Sequence, residues 1–198
     1  MTSARRWPWS RSAFAALSCC FKKSNWAVPT LELAITLPPF GGQTSEFKFE
    51  LLRAYPLCIA VAAAHPFARL ESVPLKEVAT QPLVVLSSKG TPDYSRYLEL
   101  IFSPIGAVPR IAVECDRESS FLLEVEAGHG IAMVIPPFEL MMGKRLACRP
   151  VTGTDFTVPV GIVRAVKGDV TTAGEQFCEA LRKAAGSMQI PIPLGAKK

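Results

Sequence analysis

Three stretches of the chain decide its fold: LCIAVAAAHPFARL at residues 57–70, LSSKGTPDYSRYLELIFSPIGAVPRIAVECDRES at 86–119 and EVEAGHGIAMVIPP at 124–137. Continuous apolar runs of strand length alternate there with segments whose apolar residues recur at helical spacing. The turns that lead from strand to helix carry Ser, Lys and Gly, and such turns present free backbone N–H groups to small ligands. The alternation predicts an α/β fold with a ligand-binding edge.

Strand-like segments flank this central stretch on both sides. Residues 31–37 and 47–51 alternate apolar with polar side chains, which is typical of half-buried strands. Residues 158–166 form a further strand-like run, and Thr172 with Glu175 predicts the capping box of a last helix. A chain that leaves one lobe, builds another and returns crosses twice, so we expect two lobes with a ligand cleft between them.

The predicted division gives a first lobe built from two separated parts of the chain. We expect an unassigned basic N-terminal segment at 1–28, the first part of lobe I at 29–80, lobe II at 81–150, the return strand and helix of lobe I at 151–188, and a flexible tail at 189–198.

Positive charge is concentrated at the ends of the chain. The formal net charge is +5, yet residues 1–23 alone contain five basic residues and no acidic one, and Lys197 and Lys198 add to the excess. The middle of the chain is therefore close to neutral, which argues against a nucleic-acid-binding face on the folded part.

The six cysteines form no CxxC motif and no spaced pairing with the two histidines. Cys58, Cys115 and Cys148 stand in apolar runs, which predicts buried, reduced thiols and a cytoplasmic location. We expect neither a metal site nor a cofactor. No apolar run reaches the ~20 residues of a membrane span, so no membrane partner is expected. The basic start followed by SAFAALSCCF at 12–21 leaves a signal peptide as an alternative.

The main candidate ligand site is the turn Ser87-Ser88-Lys89-Gly90-Thr91-Pro92-Asp93-Tyr94. A strand precedes it, and Thr91 with Pro92 predicts the cap and first residue of a helix whose free N–H groups favour an anion. A second polar loop carries Arg117, which could pair with a carboxylate, and Ser119 or Asp116 would cap the helix after it. Two alternatives stay open, namely that the turn residues serve only the turn and that Arg117 is only a solvated charge.

Neither histidine has a catalytic partner in the sequence. His65 stands before Pro66 at the end of a strand, and His129 lies between two glycines after a helix. No nucleophile–base signature accompanies either of them, so we expect two turn residues and no enzymatic activity.

The order of these motifs resembles the effector-binding domain of LysR-type transcriptional regulators. HPFARLESVPLKEVATQPLVVL at 65–86 is similar to the strand end, short helix and second-lobe strand of that family. EVEAGHGIAMVIPP is similar to the helix, glycine turn, strand and proline that follow. LSSKGTPDYSRYLELIFSPIGAVP at 86–109 resembles in particular the branch that senses intermediates of aromatic degradation, such as muconate. The resemblance covers residues 31–185.

The resemblance implies a type 2 periplasmic-binding-protein-like fold with a small effector, often a carboxylate, in the interlobe cleft. It places the ligand-contacting turn on Ser87, Ser88, Lys89, Pro92, Asp93 and Tyr94. Asp93 and Glu50 stand where the muconate-sensing branch tends to have uncharged polar residues, so we expect the added charges to repel a dicarboxylate.

The resemblance also implies a homo-oligomer, and DNA binding only through a winged helix-turn-helix domain. Residues 1–28 contain no recognisable counterpart of that domain, nor of the family's first strand and helix of lobe I. We therefore expect an incomplete first lobe and no DNA reading by this chain itself. The function that fits best is an effector-sensing regulatory domain, and the alternative is an exported solute-binding protein of a transporter, which shares the fold.

Overall fold

A computed structural model of the chain describes residues 32–38, 47–88, 92–138, 145–166 and 170–187. The predictions for residues 1–28, for Lys89, Gly90 and the cap residue Thr91, and for the tail at 189–198 lie outside these ranges.

The described part of the chain contains strands and helices in mixed order. The strands are β1 (Leu33–Thr36), β2 (Phe47–Pro56), β3 (Cys58–Ala62), β4 (Val73–Pro74), β5 (Pro82–Leu86), β6 (Arg110–Cys115), β7 (Ala132–Val134), β8 (Leu146–Thr152) and β9 (Thr157–Ala165). The helices are α1 (Leu75–Val78), α2 (Pro92–Phe102), α3 (Glu118–Glu126) and α4 (Thr172–Ser187).

The first lobe is a sheet with the order β1-β9-β2, in which both neighbours run antiparallel to β9. Helix α4 lies against the face that carries Glu50, because Arg182 of that helix binds Glu50 on β2. Thr171, and not the predicted Thr172, caps α4, since its Oγ1 accepts from the N–H of Gly174 at 3.2 Å.

The second lobe is a sheet with the order β4-β8-β3-β7, in which β3 runs antiparallel to both of its neighbours. The parallel pair β5-β6 joins this sheet through a parallel bridge between Leu83 and Ile131. Both buried apolar clusters of the described residues are built mainly from this lobe, with Phe102 and Phe121 among the largest fully buried side chains. The α/β fold in two lobes is therefore confirmed.

Two short segments connect the lobes and lie side by side. Pro56 at the end of β2 pairs with Thr157 at the start of β9. One residue further along, the N–H of Val151 donates to the carbonyl of Leu57 at 3.0 Å. The chain thus leaves the first sheet at Leu57 and returns to it after Thr152.

The predicted placement of residues 57–80 in lobe I is wrong. Strand β3 pairs with β7 and β8, and β4 pairs with β8, so these elements belong to the second sheet. The physical reason is burial. Residues Cys58 to Val61 are fully covered on both faces, and only a central strand of the larger sheet has partners for both.

Candidate functional site

The carboxyl ends of three strands meet at the edge of the second sheet that faces the lobe crossing. Cys58, the first residue of β3, lies opposite Val134, the last residue of β7, and β3 begins directly after the crossing. Strands β7, β5 and β6 run parallel to one another, so all three end at this same edge. The edge places the turn after β5 and the loop after β6 next to the crossing segments. This is where a cleft between lobes would hold a ligand.

Ser87 and Asp116 join the two predicted loops at this edge. The backbone N–H of Ser87 donates to the carbonyl of Cys115 at 2.8 Å, which continues the β5–β6 pairing. The Ser87 hydroxyl donates to Oδ1 of Asp116 at 2.6 Å. Ser87 is 6% exposed and is the only buried polar residue of the described core, whereas Asp116 is exposed.

Arg117 begins helix α3 as its N-cap residue, so the predicted cap by Ser119 or Asp116 is wrong. Its backbone is extended, with φ −138° and ψ 145°, and no side chain caps the helix. Asp116 does not cap α3 because its carboxylate accepts the Ser87 hydroxyl instead. The first N–H groups of a helix have no partner within it, so this helix start and the exposed guanidinium favour an anion, while the carboxylate of Glu118 in the first turn opposes one.

Tyr94 links the start of α2 to strand β7 of the second sheet. Its hydroxyl donates to the carbonyl of Met133 at 3.2 Å, and its ring meets Phe121 edge to face at 6.1 Å between centroids. Desolvation by burial raises the pKa of the Tyr94 phenol well above its usual value, against the opposing effect of the hydrogen bond to Met133. Tyr94 is therefore neutral, and its hydroxyl is already engaged.

Ser88 is exposed, unlike its buried neighbour Ser87. Its exposed side chain lines an open groove of about 410 Å³ between α2 and β6, whose walls include Leu98, Phe102 and Glu114. Pro92 and Asp93 occupy the first turn of α2. The structure thus brings Ser87, Tyr94 and Arg117 to one edge of the sheet and turns Ser88 towards its flank.

Glu50 is engaged on the α4 side of the first sheet. Arg182 donates to both of its carboxylate oxygens, at 2.6 and 2.9 Å, and Arg164 lies 3.7 Å away. The hydrogen bond from Arg182 is the main cause that holds the pKa of Glu50 below its ordinary value of 4.5. Its charge is compensated there, which removes the reason for the predicted repulsion of a dicarboxylate by Glu50.

Both histidines serve turns, as predicted. Nδ1 of His65 accepts from the N–H of Phe67 at 3.1 Å and so caps the short 3-10 turn Pro66–Arg69. Burial is the main cause that lowers the pKa of His65. His129 follows α3, and its Nδ1 lies 2.5 Å from Oε2 of Glu124. Among the described residues, the hydrogen-bond partners of the two rings are thus a backbone N–H and a carboxylate, and neither is a nucleophilic hydroxyl or thiol.

Cys58, Cys115, Cys148 and Cys178 are buried, which confirms the predicted burial of the first three. Burial raises the pKa of the Cys115 thiol, so it stays protonated. In the ranges that the structure covers, no group of three His, Cys, Asp or Glu side chains is placed to hold a metal ion. Within the same ranges no helix has the length and apolarity needed to cross a membrane.

Several solved structures share this fold. The effector-binding domain of BenM with its effector benzoate matches with a TM-score of 0.65 and 22% identity over 81% of this chain and 73% of that chain. The effector-binding domain of QuiR in complex with shikimate matches with a TM-score of 0.64 and 16% identity, over 79% and 72%. A full-length BenM mutant matches with a TM-score of 0.67 and 23% identity over 81% of this chain, which spans only 54% of that one.

A search of curated proteins found no match. The structural likeness confirms the predicted type 2 periplasmic-binding-protein-like fold with two lobes. The family described as the LysR substrate binding domain matches residues 29–186. Because this match covers most of the 198 residues, the chain belongs to the LysR substrate-binding-domain family.

Proposed function

We propose that this chain senses a small carboxylate effector at the interlobe edge of the second sheet and performs no chemistry on it. The observation that carries the proposal is the start of α3. Three features coincide there: an N-terminus without a side-chain cap, an exposed arginine as its N-cap residue, and a position at the edge that faces the lobe crossing. Free helical N–H groups with a guanidinium beside them form a natural carboxylate site.

The relatives support the same chemistry. BenM is described with benzoate and QuiR with shikimate, and both molecules are small carboxylates. We propose the aromatic-degradation branch on two grounds, the residue pattern of the β5–α2 turn and the 22% identity to the BenM domain. We further propose that the chain acts in the cytoplasm as part of a transcription regulator, in which a helix-turn-helix domain binds the DNA.

The two crossing segments suggest how binding would be reported. A ligand that contacts both lobes favours the arrangement in which those contacts form, and it shifts the population towards it. Within the described ranges the chain passes between the two sheets around Leu57 and again between Thr152 and Thr157, so we place the change at these two segments. A partner domain or subunit that contacts both lobes would then report the shift.

A thermal-shift screen tests the proposal. We expect benzoate, shikimate and muconate to include at least one ligand that raises the Tm, whereas the uncharged benzamide does not. A ligand at 100 times its Kd stabilises by about 2.7 kcal/mol. Arg117→Ala should weaken a carboxylate by about 1–3 kcal/mol, the range for a charged hydrogen bond.

Arg96→Ala is the matched control, because Arg96 is an exposed arginine on α2 whose guanidinium already pairs with Glu99 at 2.9 Å. The affinity of the Arg96→Ala variant for the same ligand should equal that of the wild type. Equal stabilisation by benzamide and benzoate, or an Arg117→Ala variant that binds as tightly as the wild type, would overturn the carboxylate site.

We also propose that the chain pairs with a second copy along β6. Strand β6 is the edge of its sheet and pairs only with β5 among the described strands. Ile111 on this strand is 48% exposed and Val108 before it is 91% exposed, and an open strand with apolar neighbours invites pairing. Ile111→Lys should lower the mass measured by light scattering towards that of a monomer. Leu123→Lys, which alters an apolar residue on α3 that is 60% exposed, should leave the mass unchanged. An unchanged mass of the Ile111→Lys variant would refute this interface.

A further inference from the structure

We infer that the effector carries a hydrogen-bond donor, a hydroxyl group, in addition to its carboxylate, and that Ser87 with Asp116 selects it. The inference deepens the proposed function and rests on it. It specifies the ligand class as a hydroxycarboxylate and assigns Asp116 a role in specificity that the sequence did not suggest.

The first step is the direction of the Ser87–Asp116 hydrogen bond. An ionised carboxylate only accepts, so the single hydroxyl proton of Ser87 lies on the 2.6 Å line to Oδ1 of Asp116. The backbone N–H of Ser87 is also used, because it donates to the carbonyl of Cys115. Ser87 therefore has no donor left for an anion, and its hydroxyl oxygen offers only lone pairs.

The second step is the charge beside that hydroxyl. Asp116 is exposed, and its carboxylate has acceptor positions beyond the one that Ser87 fills. An anionic oxygen at this point would meet a negative charge and no donor. A ligand hydroxyl would instead donate into the pair, and a hydrogen bond to a charged acceptor is among the stronger ones in proteins.

The third step is the neighbouring residue. Arg117 follows Asp116 directly and is the N-cap of α3, which has no side-chain cap. The guanidinium of Arg117 attracts a ligand carboxylate, whereas the carboxylate of Asp116 beside it repels one. A ligand that satisfies both has its carboxylate at Arg117 and the helix start, and a donor at Ser87 and Asp116. A dicarboxylate without a hydroxyl satisfies only half of this arrangement.

Isothermal titration with three matched probes tests the inference. Benzoate has no substituent, 3-hydroxybenzoate adds a donor, and 3-methoxybenzoate adds an acceptor of similar size without a donor. We expect 3-hydroxybenzoate to bind at least about tenfold more tightly than the other two, which corresponds to one hydrogen bond to a charged group. The preference should fall below about threefold in Asp116→Ala and in Ser87→Ala. Both variants should keep the Tm of a folded protein, because Ser87→Ala removes only one oxygen atom and Asp116 is exposed.

Glu114→Gln is the control, since it removes an exposed neighbouring charge from β6 and leaves the Ser87–Asp116 bond in place. It should retain the full preference. Carboxylates that bind with no preference for the hydroxyl, or a preference that survives in Asp116→Ala and Ser87→Ala, would overturn the inference and leave the proposed function standing. Failure of all three probes to bind would overturn the inference, and failure of the wider carboxylate screen as well would overturn both.

Discussion

At the scale of single residues, the function of a side chain depends on a partner far along the chain. Asp116 binds Ser87 across 29 positions, and Arg182 binds Glu50 across 132. The sequence showed that these residues were polar and lay near turns or strands. It could not show their partners, since both an N-cap and a cross-strand hydrogen bond suit an aspartate before a helix. The cap prediction for Asp116 failed for this reason.

Gly130 tests the packing of the turn between α3 and β7. A Cβ atom there would lie 2.6 Å from the carbonyl oxygen of Pro82 and 3.3 Å from Cγ2 of Val84. Gly130→Ala should therefore destabilise the fold by about 1–3 kcal/mol in urea unfolding, the usual effect of overpacking. Gly186→Ala is the control, because nothing lies within 4 Å of its Cβ position and alanine suits a helix better. Equal stabilities of the two variants would refute this packing.

The pair of Glu50 and Arg182 gives a pH-dependent prediction. Because the folded state lowers the pKa of Glu50 below 4.5, its stabilising effect is present above that pH and is lost as the pH falls through the folded value. Glu50→Gln should lower the Tm at neutral pH by up to about 3 °C, a small effect because the pair is partly exposed.

The difference in Tm between wild type and Glu50→Gln should vanish in acid, and scanning calorimetry from neutral to acidic pH would measure it. Glu99→Gln, which removes the exposed pair on α2, should change the Tm less at neutral pH. A Glu50→Gln difference that stays constant down to low pH would contradict the assigned cause.

At the scale of elements, apolar patterning predicted most strands and helices close to their observed positions. Strands β3 and β5 are continuous apolar runs, and α2 begins at Pro92 as predicted. The lobe boundary was misplaced because residues 47–62 are extended almost throughout. Periodicity does not reveal that pairing partners change at Leu57, since a strand keeps its local pattern when it passes from one sheet to another.

Tyr94 links two elements, and its hydroxyl can be tested separately from its ring. Tyr94→Phe removes the hydrogen bond to Met133 and keeps the contact with Phe121, so it should lower the free energy of unfolding by about 0.5–1.5 kcal/mol. Tyr94→Ala removes both and should lower it by about 3–5 kcal/mol. Urea unfolding of both variants measures these two losses of stability. A Tyr94→Phe protein as stable as the wild type would show that the hydroxyl does not stabilise the contact between α2 and β7.

At the scale of the whole molecule, the apolar core is unevenly shared between the lobes. Most of the fully buried residues lie on the second sheet and its helices, whereas few in the first lobe, such as Ile162 and Val163, are fully covered. Residues that open only by global unfolding exchange their amide hydrogens slowest. Hydrogen exchange should thus be slower in peptides covering β3 and β7 than in those covering β1 and β2, and the reverse order would contradict this distribution of stability.

The central claim is that the effector binds at the edge where β5, β6 and β7 end, and amide NMR of the labelled protein during titration with a carboxylate tests it most directly. We expect saturable shift changes concentrated at residues 87–88, 93–94 and 116–119, with further changes at the crossing segments near Leu57 and at 152–157. Changes concentrated in the groove between α2 and β6, or along α4, while the amides of Ser87 and Arg117 stay unmoved, would contradict it.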